Sequence, residues 1–241
     1  MSRLRPREWP EDPARRTSYV DSIFRTIAPR YDLLTRLLSM GQDRRWKANV
    51  LRHVPPGDDA SRHLDLATGT AALPVLFRKA WYRGTIIGLD RSRAMLREAR
   101  RRGGLERVRF VEGDLDFLPF REGSFDIVTM AYGLRYLTEI RASLEEVYRL
   151  LRPGGVFVCL DFGLPGSVWY RKLCFAYLLA LGTAWGLLLH GRPGTYWHIV
   201  ESLRAYPGQH AVGRLMKDVG FADIVVEEQW GGISAIIRGG R

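Results

Sequence analysis

Asp65, Gly69, Asp90 and Asp114 carry the first chemical signal in this chain. Asp90 follows Asp65 by 25 residues and precedes Asp114 by 24. A carboxylate so placed after a second strand can accept both hydroxyls of a ribose. One after a third strand can accept from an exocyclic amino group. Gly69, within "LDLATGT" (64–70), lets a ligand approach the backbone closely. Asp65 can orient that loop or hold an ammonium group through water. Each Asp alone reads as a helix cap or a turn residue; the ordered series points to a nucleoside-like ligand. No G-x-G-x-x-G occurs, so a single nucleoside fits better than a dinucleotide.

The elements that must position these residues alternate along the chain. "HLDLA" (63–67), "GTIIGLD" (84–90), "VRFVEGD" (108–114), "FDIVTMA" (125–131) and "GGVFVCLDF" (154–162) read as strands. Helical patterns over 71–80, 92–102 and 138–152 lie between them. This predicts βαβ units and a mostly parallel sheet with helices on both faces. Ligands of such sheets bind beyond the carboxyl ends of the strands, where the four residues fall, together with Asp161. "RPGG" (152–155) reads as a break between helix and strand. An amphipathic helix over 210–221 precedes "DIVVEEQW" (223–230) and "ISAIIRG" (233–239), a hairpin joined by Gly231 and Gly232. These two bring the sheet to seven strands. Segment 17–53 reads as a helical N-terminal cap.

The chain has 241 residues, enough for one domain with a sizeable core. We expect a mobile basic arm over 1–16 and a single domain over 17–241. The latter divides into the cap, a cofactor-binding core over 63–162, an insertion over 163–210 and a C-terminal helix with hairpin over 211–241. Net charge is +11, and only four of 37 basic residues are lysine. The run 91–109 holds eight Arg against two Glu. Such charge attracts nucleic acid, anionic lipid or acidic substrates, though a solvated helix face is the plainer reading. Cys159 and Cys174 lie in apolar runs and read as core thiols in a reducing compartment; no metal motif is present. The N-terminus has no apolar stretch of the secretory kind. Residues 173–189 form 17 positions without a charge, just short of a spanning helix. A single crossing would put strand five and the hairpin on opposite sides, so the expected element is a helix lying in the membrane interface or capping an apolar pocket.

Several longer motifs resemble one family. "YDLLTRLLSMGQDRRW" (31–46), "LDLATGT", "LPFREGSFDIVTMAYGLR" (118–135), "YRLLRPGG" (148–155) and "TYWHIVESLRAYPGQ" (195–209) are similar to signatures of the UbiE/COQ5-type quinone C-methyltransferases. These are class I S-adenosylmethionine-dependent methyltransferases of menaquinone and ubiquinone biosynthesis. The last block is the specific one. The resemblance spans about 19–241 and implies a Rossmann-like class I methyltransferase fold. It implies S-adenosylmethionine held by Asp65, Ala67, Gly69, Thr70, Asp90, Asp114, Leu115 and Ala131. It further implies C-methylation of a polyprenyl hydroquinone, demethylmenaquinol or a methoxy-polyprenyl-benzoquinol. Arg135 would stabilise the phenolate, with His198, Tyr196 and Asp161 as catalytic partners and Tyr132 also on the substrate side.

The chain also departs from the family pattern. Ala71 and Ala72 replace Gly and Asp, Leu34-Thr35 replaces Met-Asn, and Asp43 replaces His. Tyr136 replaces Asn, "DFG" (161–163) replaces "EFS", and His198 replaces a Tyr. These departures motivate two alternatives: another small lipophilic substrate, or a catalytically weak membrane-associated partner of quinone biosynthesis. A nucleic-acid methyltransferase is disfavoured, because "MAYGLR" stands where base-amine enzymes carry an Asn/Asp-Pro-Pro-aromatic segment. The expected setting is cytoplasmic, on the inner face of the cell membrane, with peripheral contact to anionic lipid and room for a homodimer.

Overall fold

The computed structural model describes residues 10, 12–80, 82–105, 107–115 and 117–241. Most of the expected basic arm, 1–9 and 11, lies outside these. Its last residues are helical: α1 spans Pro13–Ile27, with Pro at its start and Asp12 Oδ1 accepting from the Arg15 N–H at 2.8 Å. α2 (Tyr31–Leu38) and α3 (Asp43–Val50) complete the N-terminal helices.

The core then alternates as β1 (Arg62–Leu66), α4 (Ala72–Ala80), β2 (Thr85–Asp90), α5 (Arg93–Arg100), β3 (Val108–Glu112), β4 (Phe125–Ala131), α6 (Ile140–Leu150) and β5 (Leu151–Phe162). After it come α7 (Val168–His190), α8 (His198–Ala205), α9 (Gln209–Val219), β6 (Ala222–Gln229) and β7 (Ser234–Gly240). The seven strands lie in the order β3-β2-β1-β4-β5-β7-β6, parallel except β7, which is antiparallel to both neighbours. Strand order reverses between β1 and β4, the point at which such sheets open a crevice.

Alternation within the strands sorts the core into two layers. Leu64, Leu66, Val128, Met130, Phe157 and Cys159 pack against α6 and α9. Ile86, Ile127, Val158 and Leu160 pack on the other face with Trp46, Val50 and Phe77 from α3 and α4. A third cluster, from α1, α2, α7 and α8, includes Ile27, Leu34, Leu38, Leu178 and Ile199.

Two expectations need correction. "RPGG" does follow the end of α6, but it lies within β5 and not before it: the strand begins at Leu151, opposite Phe125, and resumes after a bulge with Val156 opposite Ile127. Cys159 is a core thiol, but Cys174 on α7 is only half-buried.

Candidate active site

The β1–α4 loop is built under strain. Ala67, Gly69 and Ala71 have φ of 48°, 55° and 61°, and Tyr132, just past β4, has 59°. Left-handed backbone at non-glycine residues costs energy and concentrates at ligand clamps. Asp90 fastens the loop: one oxygen accepts the Gly69 N–H at 2.7 Å and the other the Ser92 N–H at 2.8 Å. Burial pushes the Asp90 pKa up to about 6. Beneath it Asp65 is buried and accepts from the Thr68 and Thr129 hydroxyls, both at 2.6 Å. Because Thr129 donates to Asp65, it must accept from His63 Nε2 at 2.7 Å. Burial chiefly, with Asp90 adding, raises Asp65 to about 7.

Beyond these strand ends lies a cleft of about 120 Å³, on a scale where one water takes roughly 10–15 Å³. Ala67, Gly69, Asp90, Asp114, Leu115 and Ala131 all line it. Asp65 and Thr70 line a narrower cavity on the other side of the loop, beside Lys47 and Ala72. The Thr70 hydroxyl is turned away, donating to Asp32 at 2.7 Å. Thus six of the eight residues expected to hold the cofactor line the cleft, and Asp65 and Thr70 do not. What sequence reasoning missed is the wall supplied by α1: Thr17, Val20, Asp21 and Phe24. Asp21 is tied across the cleft, since Arg91 reaches it at 3.2 Å and Asp114 at 3.0 Å. Only helical amphipathicity in 13–27 hinted at this wall, and it could not say what the helix covers. The basic run is also partly neutralised, with Arg93 on Glu112, Arg101 on Glu98 and Arg102 on Asp32.

A second, inner cavity of about 30 Å³ on the same scale shares Phe24, Tyr31, Tyr132 and Tyr136 with the cleft. Arg135 and His198 line it. Arg135 is buried and paired with Asp161, donates to the Tyr136 hydroxyl at 3.0 Å, and has Tyr136 and Phe162 rings at 4.4 and 5.1 Å. Burial, the largest single influence, opposes its charge, but Asp161 with Tyr136 and Tyr31 together push the guanidinium pKa up. His198 Nδ1 donates to the Thr195 carbonyl at 3.0 Å, leaving Nε2 as an acceptor. Burial drives its pKa down to about 3, so the ring is neutral at physiological pH.

Two expected catalytic partners sit differently. Asp161 lines neither cavity: its carboxylate is spent on Arg135 and on the Phe162 N–H at 2.7 Å, so it positions Arg135. Tyr196 is packed under α7 and its hydroxyl bonds His190 Nε2 at 2.7 Å, away from the cavities. Tyr31, Asp43 and Lys47 are not among the expected site residues, although Tyr31 and Asp43 lie in the 31–46 motif and Asp43 stands out there as a departure from the family pattern.

Residues 13–241 match the model of the ubiE/COQ5 methyltransferase family. A demethylmenaquinone methyltransferase of Thermus thermophilus is 38% identical over 226 residues, 91% of this chain and 100% of that protein. A ubiquinone/menaquinone biosynthesis C-methyltransferase UbiE of Blochmanniella floridana is 34% identical, covering 90% and 87%. Among solved structures, an S-adenosylmethionine-dependent methyltransferase of Thermotoga maritima superposes with a TM-score of 0.65 at 19% identity, over 91% of this chain and 98% of that one. That likeness speaks for the fold.

Proposed function

The chain belongs to the ubiE/COQ5 methyltransferase family, and on that premise we propose that its substrate is demethylmenaquinol, methylated on a ring carbon. It is an S-adenosylmethionine-dependent C-methyltransferase of quinone biosynthesis. The naphthoquinol ring is favoured over a benzoquinol because the relative matched over its full length carries the demethylmenaquinone name. The observation that supports the reading within the molecule is the pair of adjoining cavities: a cleft edged by carboxylates and an inner chamber of aromatic, aliphatic and polar side chains holding one buried arginine.

The cleft fits the cofactor. A Cβ built on Gly69 would meet nothing closer than Ala67 O at 3.9 Å, so that side of the loop is open to a ligand. Asp90 keeps lone pairs for ribose hydroxyls, Asp114 edges the adenine end, and Leu115, Phe24 and Leu137 supply apolar walls. Asp65, behind the loop, would act on the ammonium only through water. When bound, S-adenosylmethionine supplies an electrophilic methyl group on a sulfonium. Ala72 opens α4 and lines the cavity shared by Lys47 and Asp65. A carboxylate there would sit at a helix N-terminus, so Ala72→Asp is expected to bind the cofactor more tightly, and an unchanged affinity by calorimetry contradicts that.

The chain's own residues then do the rest. Arg135, held rigid by Asp161, stabilises the ring oxygen as it gains charge. Neutral His198 accepts or orients a ring hydroxyl through Nε2. Phe24, Tyr31 and Tyr136 exclude water and hold the ring against the cleft. Because the inner chamber is tight, the ring enters only as α1 gives way.

α7 faces the other requirement, reaching an amphiphile. It is long and apolar enough to cross a membrane by length and composition, yet little of it is buried. Crossing is excluded by topology: β5 precedes it, and β7, after it, lies between β5 and β6. α7 is folded back on the 193–196 turn so closely that a Cβ on Gly186 would meet Arg192 O at 2.6 Å. Its outer face is a continuous stripe, Trp169, Leu173, Ala176, Ala180, Ala184 and Leu187–Leu188, all exposed. We read this as an in-plane helix at the membrane interface, with Arg171, Lys172 and Arg192 beside anionic headgroups.

The deciding experiment incubates pure protein, labelled S-adenosylmethionine and reduced demethylmenaquinone, with a methoxy-polyprenyl-benzoquinol arm. Label in menaquinone is expected. Label only in the benzoquinol arm changes the ring; label in neither overturns the reading.

A further inference from the structure

Among the described residues, Asp43 Oδ1, the Tyr132 hydroxyl and Arg135 Nε are buried around the inner cavity without a well-formed hydrogen bond, the Tyr132 hydroxyl standing close to the Asp43 carboxylate. Each such atom has lost its water without compensation. They come from three places, α3, the end of β4 and the 134–136 turn, so one local distortion does not account for them. They are an acceptor, a donor–acceptor and a donor. That set is complementary to a ring hydroxyl caught between its neutral and ionised forms.

Asp43 is held in place. Its N–H donates to Ser39 Oγ at 3.0 Å, and its Oδ2 takes Lys47 Nζ at 3.0 Å in a buried pair. Oδ1 makes no well-formed bond, and the Tyr132 hydroxyl is the group beside the carboxylate. Lys47 in turn stands 5.4 Å from the centre of the Tyr132 ring. Tyr132 sits at φ 59°, where bulky side chains are outliers, and this backbone places its ring against both the cleft and the inner cavity.

We propose that Asp43 is a catalytic residue whose Oδ1 takes the hydroxyl proton of the quinol; this rests on the hydroquinone reading above. The O–H bond breaks, the proton joins Oδ1, and the bonding pair stays on the ring oxygen. That oxygen becomes carbonyl-like as the neighbouring carbon bonds the methyl group and the methyl–sulfur bond breaks, its electron pair staying on sulfur. The ring carbon's hydrogen then leaves as a proton to solvent and the oxygen recovers a proton from Asp43, restoring the aromatic quinol. A carboxylate is a weak base toward a resting phenol of pKa about 10. It suffices here because the hydroxyl turns strongly acidic as electron density passes to the ring carbon, while Arg135 supports the developing charge. The other titratable or charged groups around this spot are Lys47, Tyr31, Tyr132, Tyr136, Arg135, Asp161 and His198. Tyr132 does not compete as base: burial first, then Asp43 beside it, raise its pKa well above the ordinary phenol value.

The test uses the whole protein with S-adenosylmethionine and reduced demethylmenaquinone, following kcat and kcat/KM against pH, and cofactor affinity by calorimetry. Asp43→Asn is expected to lower kcat about 100-fold or more, leaving cofactor affinity unchanged. Because Asn strands Lys47, Asp43→His is the second variant. It is expected to regain about tenfold or more over Asp43→Asn, with the acid limb of kcat/KM displaced from its wild-type position because an imidazole replaces the carboxylate. A merely structural Asp43 would not move that limb. Asp43→Asn retaining kcat, or Asp43→His with the wild-type limb, overturns the proposal. Should Asp43→Asn not fold, the limb of Asp43→His decides. Wild-type protein that methylates no hydroquinone defeats the underlying reading first, before any variant is compared.

Discussion

Arg135 and Asp161 form one buried pair with two different roles. Arg135 borders the inner cavity; Asp161 lies behind it and keeps it charged and still. Arg135→Ala leaves Asp161 buried without a partner, which costs about 3–5 kcal/mol, or roughly 10 °C in melting temperature for a chain this long. Arg135→Gln combined with Asp161→Asn removes both charges and is expected to recover most of that stability. Turnover should stay down about 100-fold, because nothing then meets the developing oxyanion. A double variant that folds and works at the wild-type rate would reduce Arg135 to a structural residue. Asp65 makes a prediction about pH. Burial mainly, with Asp90 helping, lifts its folded pKa to about 7 from an ordinary 3.8, and burial lifts Asp90 to about 6. Between about pH 4 and pH 7 the folded state therefore keeps protons that the unfolded state has released. Stability falls as pH rises through that window, and the effect is flat below it, where both states are protonated. Asp65→Asn should flatten most of the decline in melting temperature from pH 4 to 8; an unaltered slope would show that Asp65 does not carry it.

At the scale of elements, α1 is the piece that closes the site. It contributes Phe24 to both cavities and Asp21 to the Arg91–Asp114 bridge, but Ile27 is its only residue that is fully buried among those described. Exposed bridges of this kind stabilise by only about 0–1 kcal/mol, so α1 should open locally long before the sheet does. Hydrogen exchange in the free protein is expected to be faster in α1 than in β4, and to slow in α1 when S-adenosylhomocysteine is added. Exchange in α1 that ignores the ligand would mean that the helix does not cover the occupied cleft. The same contrast explains what the sequence made legible. Asp65, Asp90 and Asp114 could be placed because each βαβ unit repeats at about 25 residues and delivers its strand end to one edge. α1, Tyr31 and Asp43 could not, since they meet the site through contacts that leave no local period. Tyr196 and Asp161 have chemically capable side chains, yet only their neighbours reveal that His190 and Arg135 occupy them. Gly163, one of the departures, is steric: a Cβ there would meet the Gly232 carbonyl at 2.5 Å, so the Ser of the family pattern does not fit this backbone.

For the whole molecule, the proposed membrane contact combines the net charge of +11 with the outer stripe of α7. At 1.5 Å per residue the 23 residues of α7 run about 34 Å, so the stripe offers an elongated apolar edge and not a point anchor. Trp169, Leu173 and Leu188 are 81%, 65% and 72% exposed. Burying each stabilises the bound form by about 1.5–3 kcal/mol. Basic residues near an anionic leaflet add about 1 kcal/mol apiece, screened by salt. The apolar term should therefore persist at high salt while the preference for anionic lipid fades. Wild-type protein is expected to float with anionic vesicles, and less with neutral ones. The triple variant Trp169→Ser, Leu173→Ser, Leu188→Ser should lose about 100-fold or more in partitioning at unchanged cofactor affinity, because none of the three lines the cleft. Its turnover of a short-tailed, water-soluble quinol should match wild type, and only the long-tailed substrate in vesicles should be methylated slowly. If instead the triple variant floats like wild type while its mass in solution drops from dimer to monomer, the stripe joins two copies of the chain, and the quinol must reach the inner cavity by another route.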